Sequence, residues 1–328
     1  MTHICRINNI FCVTIPGMSD RLEKATHALL ARFRRQRPVR SGSLLITVLG
    51  DSIAPRGGAV TLGSLIRLAE PFGLPERLVR TSVGRLAQDG WLSSNREGRQ
   101  SEYFLTEHGK QRFAEATSRI YREAPQNWSR NWTLLMLPQG SQQKTLREEL
   151  LWLGFGQVRP GVLAHPSRSV QDARIQLAEL KLEADVVLMS ATSEGADADR
   201  ALIEAGWDLA ELARGYKRFV DAFTPVRVQV TAKSALPPET AFVIRTLLIH
   251  EYRKIHLRDP LLPHSLLPSD WIGTQAYELC RSLYRTVFAA ADAHVSAAAE
   301  TLSGKLERAS RQTFRRFGGL DEEGSTSA

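Results

Sequence analysis

Basic and polar side chains recur on one face of the helix that the pattern predicts from Pro75 to about Asp89. At 100° per residue, Val79, Val83 and Leu86 fall together and are predicted to face a core. The opposite face and its flanks carry Arg77, Arg80, Thr81, Arg85 and Gln88. These residue types reach base edges and phosphates, and Gly84 allows the helix backbone to approach closely. The face therefore predicts insertion into a DNA major groove; an ordinary surface helix with solvated arginines is the alternative.

A polar, basic hairpin follows this helix. Gly90 ends the helix, and the segments 91–92 and 103–105 are predicted as two short strands around the run 93–101. The run carries Arg96 and Arg99 at its tip, followed by Ser101. These side chains are placed to contact a neighbouring phosphate or minor groove.

The elements around the hairpin predict a winged helix-turn-helix over residues 41–124. Three helices, a strand, the hairpin, a second strand and a closing helix follow in that order. A helix over 19–37 precedes them and forms, with the extension before it, a first segment over 1–40. It ends in the run Arg32, Arg34, Arg35, Arg37 and Arg40. This run is either a DNA-contacting arm or a solvated charge run.

The distribution of charge agrees with a partner that carries phosphates. Residues 1–122 carry 19 Lys and Arg against 10 Asp and Glu, whereas residues 123–328 carry 24 against 25. The excess positive charge therefore lies in the first third of the chain, as binding to a phosphate backbone requires. A basic surface without a partner is the other interpretation.

Composition narrows the function classes. The 328 residues suggest two or three domains, and 43% hydrophobic residues are ordinary for a soluble protein. No segment approaches the roughly 20 apolar residues of a membrane span, and we expect no membrane partner. Three cysteines, Cys5, Cys12 and Cys280, have neither metal-ligand spacing nor a disulfide pattern, so a reducing cytoplasm is expected. Residues 1–17 are predicted to be a poorly ordered extension, or to precede the true start of translation.

The middle of the chain predicts a ferredoxin-like domain over residues 128–195. Its elements follow the order β-α-β-β-α-β. This domain resembles the small CRISPR spacer-acquisition proteins, some of which cut nucleic acid. Such cleavage needs a carboxylate for Mg²⁺ at the end of the first strand, but this strand ends Leu135-Met136-Leu137-Pro138. A metal-dependent nuclease therefore remains only an alternative, and a dimerisation and spacing module is favoured.

The remaining sequence predicts a mostly helical domain over 200–310 and a tail over 311–328. The acidic segment 194–199 is expected to be an exposed loop, and Pro225 is expected to end a helix. His250 and His256 are six residues apart and point to different faces of one helix, so a structural histidine pair is favoured over a metal site. The predicted elements together give the fold class α+β. No nucleophile motif and no phosphate-binding glycine loop is present, so we expect no enzyme and no cofactor.

Two separated motif blocks resemble the PaaX-type family of transcriptional repressors of bacterial phenylacetate degradation. The first block contains Val79-Arg80-Thr81, Arg85-Leu86, Gly90-Trp91-Leu92, Gly98-Arg99, Ser101, Tyr103, Leu105-Thr106 and Gly109. The second contains residues 248–253, Leu257-Arg258-Asp259-Pro260, Leu262-Pro263, Leu267-Pro268 and Asp270-Trp271. The resemblance covers roughly residues 40–290. It implies a homodimer that represses by binding operator DNA and is released by phenylacetyl-CoA or a related aryl-CoA.

Such an effector needs cations for its phosphates and an aromatic slot for its ring. The second motif block supplies both kinds of group in Tyr252, Arg253, Arg258, His264 and Trp271, with Lys254 beside them. The alternative is that Tyr252 and Trp271 are core residues and that the arginines pair with Glu251 and Asp259. A DNA-binding protein without an effector is a further alternative for the whole chain.

Overall fold

The computed structural model describes residues 6–7, 10–11, 18–36, 41–125, 127–140, 143–179, 186–230 and 236–320. The chain is a mixed α+β protein that divides into two compact units. The first unit comprises residues 1–118, 219–252 and 278–328, and the second comprises residues 119–218 and 253–277. Each long C-terminal helix thus contributes one part to each unit.

The N-terminal part of the chain supplies most of the first unit. Its helices and strands are β1 (Arg6–Ile7), β2 (Ile10–Phe11), α1 (Met18–Arg34), α2 (Ser41–Val48), β3 (Ala59–Thr61), α3 (Leu62–Ala69), α4 (Glu76–Gln88), β4 (Leu92–Glu97), β5 (Gln100–Leu105) and α5 (Glu107–Ile120). Strands β3, β5 and β4 form an antiparallel sheet in that order. A π-helix, Leu49–Ile53, continues α2 without a break.

Two threonines begin helices in this unit. The Thr61 side chain accepts a hydrogen bond from the Ser64 amide, and the Thr106 side chain accepts one from the Gly109 amide. Each bond satisfies a helix N-terminal N–H that has no partner inside the helix. Both threonines therefore act as N-caps. Strand β3 was not predicted, because three residues before a helix carry too little periodicity to indicate a strand.

The first unit buries charged side chains in its core. The Asp51 carboxylate accepts hydrogen bonds from the Tyr284 hydroxyl at 2.8 Å and from Arg316 at 3.0 Å. Its second oxygen lies 3.0 Å from Nε of Arg245, whose side chain is 1% exposed. Burial raises the pKa of Tyr284, so this hydroxyl remains a donor. The network joins the π-helix to segments more than 190 residues away in sequence.

The second unit contains a four-stranded sheet with helices on both faces. Its elements begin with β6 (Asn131–Met136), α6 (Gln143–Trp152), β7 (Gly156–Arg159), β8 (Val162–His165), α7 (Val170–Glu179), β9 (Val187–Thr192) and α8 (Ala196–Gly206). The antiparallel strand order is β7-β8-β6-β9. One core cluster contains Leu135, Leu150 and Leu177, and the other contains Trp132, Ala164 and Ile203. Alternate residues of β6 therefore enter opposite cores.

The prediction of an exposed acidic loop over 194–199 was wrong. Helix α8 begins at Ala196, and Asp199 in its first turn is 3% exposed. Its carboxylate accepts a hydrogen bond from the indole N–H of Trp132 at 2.9 Å. A carboxylate in the first turn is also favoured by the helix dipole. The acidic run thus starts a helix because one of its members finds a buried donor.

Three long helices and a small hairpin complete the chain. They are α9 (Leu209–Gln229), α10 (Pro238–His256), α11 (Ile272–Ala298), β10 (Glu300–Thr301) and β11 (Gly304–Lys305). The expectation that Pro225 ends a helix was wrong, because α9 continues through it and buries Val226 on the far side. Within the described residues, no helix combines the length and the hydropathy that a membrane span requires. The end of the predicted tail, 321–328, lies outside the described residues.

Candidate nucleic-acid interface

Helix α4 forms because its apolar residues repeat at helical spacing and Pro75 precedes its first turn. Val79 and Val83 are fully buried and Leu86 is 5% exposed, as the sequence predicted. Ser82 joins this buried face and shares a 2.7 Å hydrogen bond with Ser41 at the start of α2. The packing of this side fixes the rotation of α4 and therefore decides which side chains point outward.

The opposite face of α4 is open to solvent. Every candidate DNA-contacting side chain of the helix is exposed: Arg77, Arg80, Thr81, Arg85 and Gln88. Arg80 forms an exposed ion pair with Glu76 at 2.7 Å, and the Thr81 hydroxyl donates to the Arg77 carbonyl at 2.9 Å. Exposed pairs of this kind contribute at most about 1 kcal/mol. Arg80 can therefore exchange Glu76 for a phosphate or a base at small cost.

Gly84 lies on the exposed side of the same helix. A Cβ atom built at this position has no heavy atom within 4 Å. Within the part of the chain that the structure describes, nothing therefore requires glycine here, although glycine in a helix costs up to about 1 kcal/mol relative to alanine. An approaching external backbone is one physical reason for a glycine at this position.

The hairpin strands are longer than the sequence predicted. Strands β4 and β5 pair from Leu92–Leu105 to Glu97–Gln100, which leaves Gly98 and Arg99 as a two-residue turn. Gly98 has φ of 57°, a left-handed conformation that glycine adopts without strain. Arg96 and Arg99 are exposed, and Ser101 is half-buried opposite Arg96. The turn thus presents two guanidinium groups at the end of a rigid ribbon.

Contacts behind α4 connect it to α5. The Trp91 amide donates to the Leu86 carbonyl at 2.9 Å, and the Trp91 ring packs edge-on against Phe113 of α5 with centroids 5.5 Å apart. A Cβ on Gly109 would lie 2.3 Å from the Trp91 carbonyl oxygen, so only glycine fits at this helix start. Through these contacts, α5 holds the end of α4 and the start of the hairpin.

The basic run at the end of α1 is only partly described. Arg34 donates from its guanidinium to the carbonyls of Phe72 and Pro71, each at 3.1 Å. This arginine therefore supports the turn between α3 and α4. Arg32 and Arg35 also belong to the described part of the run, whereas Arg37 and Arg40 lie outside the described residues.

The structure describes all of the predicted effector-binding residues. Tyr252 is fully buried in the first unit, where its ring lies 5.4 Å from that of Phe219. His264 and Trp271 come together in the second unit around a cavity of about 30 Å³. Arg253 and Arg258 belong to the same unit but do not line this cavity. This volume can hold a water molecule but is too small for an aromatic ring.

The buried histidines of the second unit are neutral. Burial lowers the pKa of His165 to about 3, and its Nδ1 accepts hydrogen bonds from the amides of Ser167 and Arg168. Burial also lowers the pKa of His256 to about 4, and its ring lies between the Tyr216 hydroxyl and the Arg119 carbonyl. Among the described residues, no three His, Cys, Asp or Glu side chains are close enough to share a metal ion.

Sequence reasoning missed the C-terminal segment that supports the candidate interface. The Ser64 hydroxyl of α3 accepts a hydrogen bond from the Glu300 amide at 2.9 Å, and Glu102 of β5 accepts one from the Leu302 amide at 2.8 Å. Arg67 also donates to the Ala298 carbonyl at 2.9 Å. No local pattern signals such pairing, because the partners are at least 200 residues apart.

Comparison with known proteins shows which family the chain matches. Models of a PaaX-like protein, of the PaaX protein central Cas2-like domain and of the PaaX-like protein C-terminal domain match residues 40–109, 125–203 and 207–297. The chain is 41% identical over 293 residues to the transcriptional repressor PaaX of Escherichia coli (strain K12), across 87% of this chain and 92% of that repressor. The uncharacterized protein Rv0674 from Mycobacterium tuberculosis aligns over 69% of this chain and 89% of its own, with 24% identity and a TM-score of 0.42.

Proposed function

The chain belongs to the PaaX family, as its motif blocks predicted, and from this premise we propose that it is a transcriptional repressor that binds operator DNA. The observation that carries the proposal is the exposed polar face of α4 beside the Arg96–Arg99 turn, in the basic third of the chain. We propose no enzymatic activity, because a repressor acts by occupying its site.

Helices α2, α3 and α4 with the sheet β3-β5-β4 form, in this proposal, a winged helix-turn-helix. Helix α4 enters the major groove, where Arg80, Arg85 and Gln88 reach base edges and Arg77 and Thr81 contact phosphates. The turn of the hairpin lies on the neighbouring backbone or minor groove through Arg96 and Arg99, with Ser101 behind them. The exposure of all of these side chains except the half-buried Ser101 supports this assignment.

The second unit and the C-terminal helices supply assembly and control in the same proposal. We assign residues 128–195 a ferredoxin-like fold that spaces two copies of the chain in a homodimer. The protein acts in the cytoplasm and represses the genes of phenylacetate catabolism. An aryl-CoA thioester such as phenylacetyl-CoA releases the repressor from DNA. Release requires only that the effector binds the dimer arrangement that does not fit DNA more tightly than the arrangement that does.

The proposal is tested by titrating promoter DNA with the full chain and with Arg80→Ala, Arg85→Ala and Arg174→Ala. Arg174 is exposed on α7 in the second unit and controls for the loss of one positive charge. We expect each α4 variant to lose about 1–3 kcal/mol of operator binding for a bidentate base contact, and the control to bind normally. Wild-type affinity in both α4 variants refutes the assignment.

The control by effector is tested in the same gel-shift assay. Phenylacetyl-CoA is expected to dissociate the complex, whereas free phenylacetate alone leaves it intact. A complex that is unaffected by the thioester identifies the chain as a DNA-binding protein without this effector. Equal affinity for promoter and random DNA indicates an architectural role instead of repression.

A further inference from the structure

A cavity of about 330 Å³ lies in the first unit behind the hairpin. It is bordered by the loop from Gly50 to Gly58, by Leu105 at the end of β5, by α5 and by the C-terminal segment 310–316. In this part of the lining, the π-helix Leu49–Ile53 follows α2, and Gly57 and Gly58 have φ of 86° and 77°, which glycine adopts without strain. Pockets of about 300 Å³ and more are the size class that binds small molecules.

The lining combines an apolar surface with cations. Leu105 and Phe113 are buried, Ala54 and Pro55 are half-buried, and Ala114 is exposed. Lys110 and Arg316 also line the cavity, and no carboxylate does so within the described residues. Two carboxylates lie nearby: Glu107 pairs with Lys110 at 2.6 Å, and Glu307 lies about 3.6 Å from the Cβ position of Gly57. The lining therefore suits an apolar body with a negative charge.

A buried ion-pair network lies beside the cavity. Its ion pairs join the guanidinium groups of Arg56, Arg245 and Arg316 to the carboxylates of Asp51 and Asp292. Each buried guanidinium thus lies beside a carboxylate, as buried charges require. Because Arg316 belongs to both the network and the lining, its guanidinium brings positive charge to the cavity wall.

The cavity is also connected to the candidate DNA-binding elements. Phe113 of the lining packs on Trp91, which bonds to the end of α4. Leu105 of the lining is the last residue of β5 and pairs with Leu92 of β4. A ligand at this position therefore touches the helix and the strand that hold α4 and the hairpin.

We propose that this cavity binds a small carboxylate whose apolar part is about one ring in size. The ring lies against Leu105 and Phe113, and the carboxylate accepts hydrogen bonds from Lys110 and Arg316. The volume is at the small end of ligand pockets, which favours the free acid over a complete coenzyme A thioester. Only the choice of phenylacetate as the first probe rests on the function proposed above.

The test is isothermal titration calorimetry of the full chain with phenylacetate and benzoate. Phenylacetamide has the ring without the charge, acetate has the charge without the ring, and phenylacetyl-CoA is the thioester source of the same acyl group. Ala114→Phe fills the cavity from an exposed position of α5, and Gln111→Phe places the same ring on that helix outside the lining. Far-ultraviolet circular dichroism verifies that both variants are folded.

We expect saturable binding of at least one carboxylate and at least tenfold weaker binding of phenylacetamide and acetate, which corresponds to about 1.4 kcal/mol. Ala114→Phe is expected to lose at least tenfold in affinity, while Gln111→Phe binds as wild type. Absence of carboxylate binding, equal binding of the amide, or wild-type affinity in folded Ala114→Phe each overturns the proposal. If the thioester binds and Ala114→Phe leaves its affinity unchanged, its site lies elsewhere, and the carboxylate measurements still decide this proposal.

Operator titration with the same proteins separates the two proposals. Ala114→Phe contains no change in the candidate DNA-contacting face, so it is expected to bind operator as the wild-type chain does, although it no longer binds the carboxylate. A wild-type chain that binds the carboxylate but no operator refutes the repressor proposal and leaves the cavity assignment standing.

Discussion

The Arg80 guanidinium lies 2.7 Å from a carboxylate oxygen of Glu76, one turn earlier on the exposed face of α4. The pair places a negative charge where the proposed interface meets phosphates, and it occupies a side chain that is proposed to read a base. Both side chains are more than half exposed, so water and salt screen their interaction. The pair is therefore a weak internal competitor of DNA.

Glu76→Gln is expected to raise operator affinity. The change removes a charge that repels phosphates and frees Arg80 from a pair worth a few tenths of a kcal/mol, so we expect about two- to fivefold tighter binding at low salt. Glu107→Gln is the matched control, because Glu107 forms a similar exposed pair with Lys110 in the first turn of α5. Filter-binding titrations over a range of salt concentrations measure both. Weaker binding by Glu76→Gln contradicts the proposed orientation of α4.

Gly84→Ala is expected to change stability and DNA affinity in opposite directions. A Cβ at this position meets nothing within 4 Å, and alanine favours the helix by up to about 1 kcal/mol, so the chain becomes more stable. If the helix backbone approaches DNA here, the added methyl group weakens operator binding. Gly42→Ala in α2, where a Cβ also meets nothing within 4 Å, is the control. Unchanged or tighter operator binding shows that DNA does not approach α4 at this residue.

Asp51→Asn is expected to destabilise the first unit strongly. The amide cannot neutralise Arg245 and Arg316, and breaking a buried ion pair costs about 3–5 kcal/mol. Asp197→Asn removes an exposed partner of Arg200 at 3.1 Å and is expected to change the free energy of unfolding by less than about 1 kcal/mol. Urea unfolding followed by circular dichroism measures both. A loss as small in Asp51→Asn as in Asp197→Asn rejects the structural importance of the network.

The second unit is expected to lose stability in acid because of His165. Burial lowers its folded-state pKa to about 3, below the value of about 6.5 for an unfolded histidine, so at acidic pH the unfolded chain binds more protons. The stability due to neutral His165 is complete above about pH 6.5 and is lost progressively as the pH falls toward 3. Protonation also removes the acceptor that bonds the Ser167 and Arg168 amides.

His165→Asn tests this origin of the acid sensitivity. Asparagine keeps a carbonyl acceptor but does not titrate, so the fall in unfolding free energy between about pH 7 and 5 is expected to be smaller by about 2 kcal/mol. Urea denaturation at both pH values gives the difference. His27→Asn, at an exposed position of α1, is expected to keep the wild-type dependence. An unchanged slope in His165→Asn places the sensitivity on other groups.

Local sequence patterns predicted the elements that depend on residues close together in the chain. The periodicity of α4 predicted that Val79 and Val83 are buried, and both are fully buried. Periodicity, caps and turns depend on neighbours within a few residues, so the sequence states them directly. The positions of Arg77, Arg80 and Arg85 outside the core follow from the same period.

Only the tertiary structure decided which distant residues meet. Asp199 lies in the first turn of a helix instead of in a loop because Trp132 donates to it. Asp51 meets Arg245 and Arg316. These contacts join positions tens to hundreds of residues apart, and the energy gained depends on burial that no local window contains. The sequence by itself therefore determined the family, the elements with a clear local pattern and the outward face of α4, whereas packing determined the buried charges and the cavity beside them.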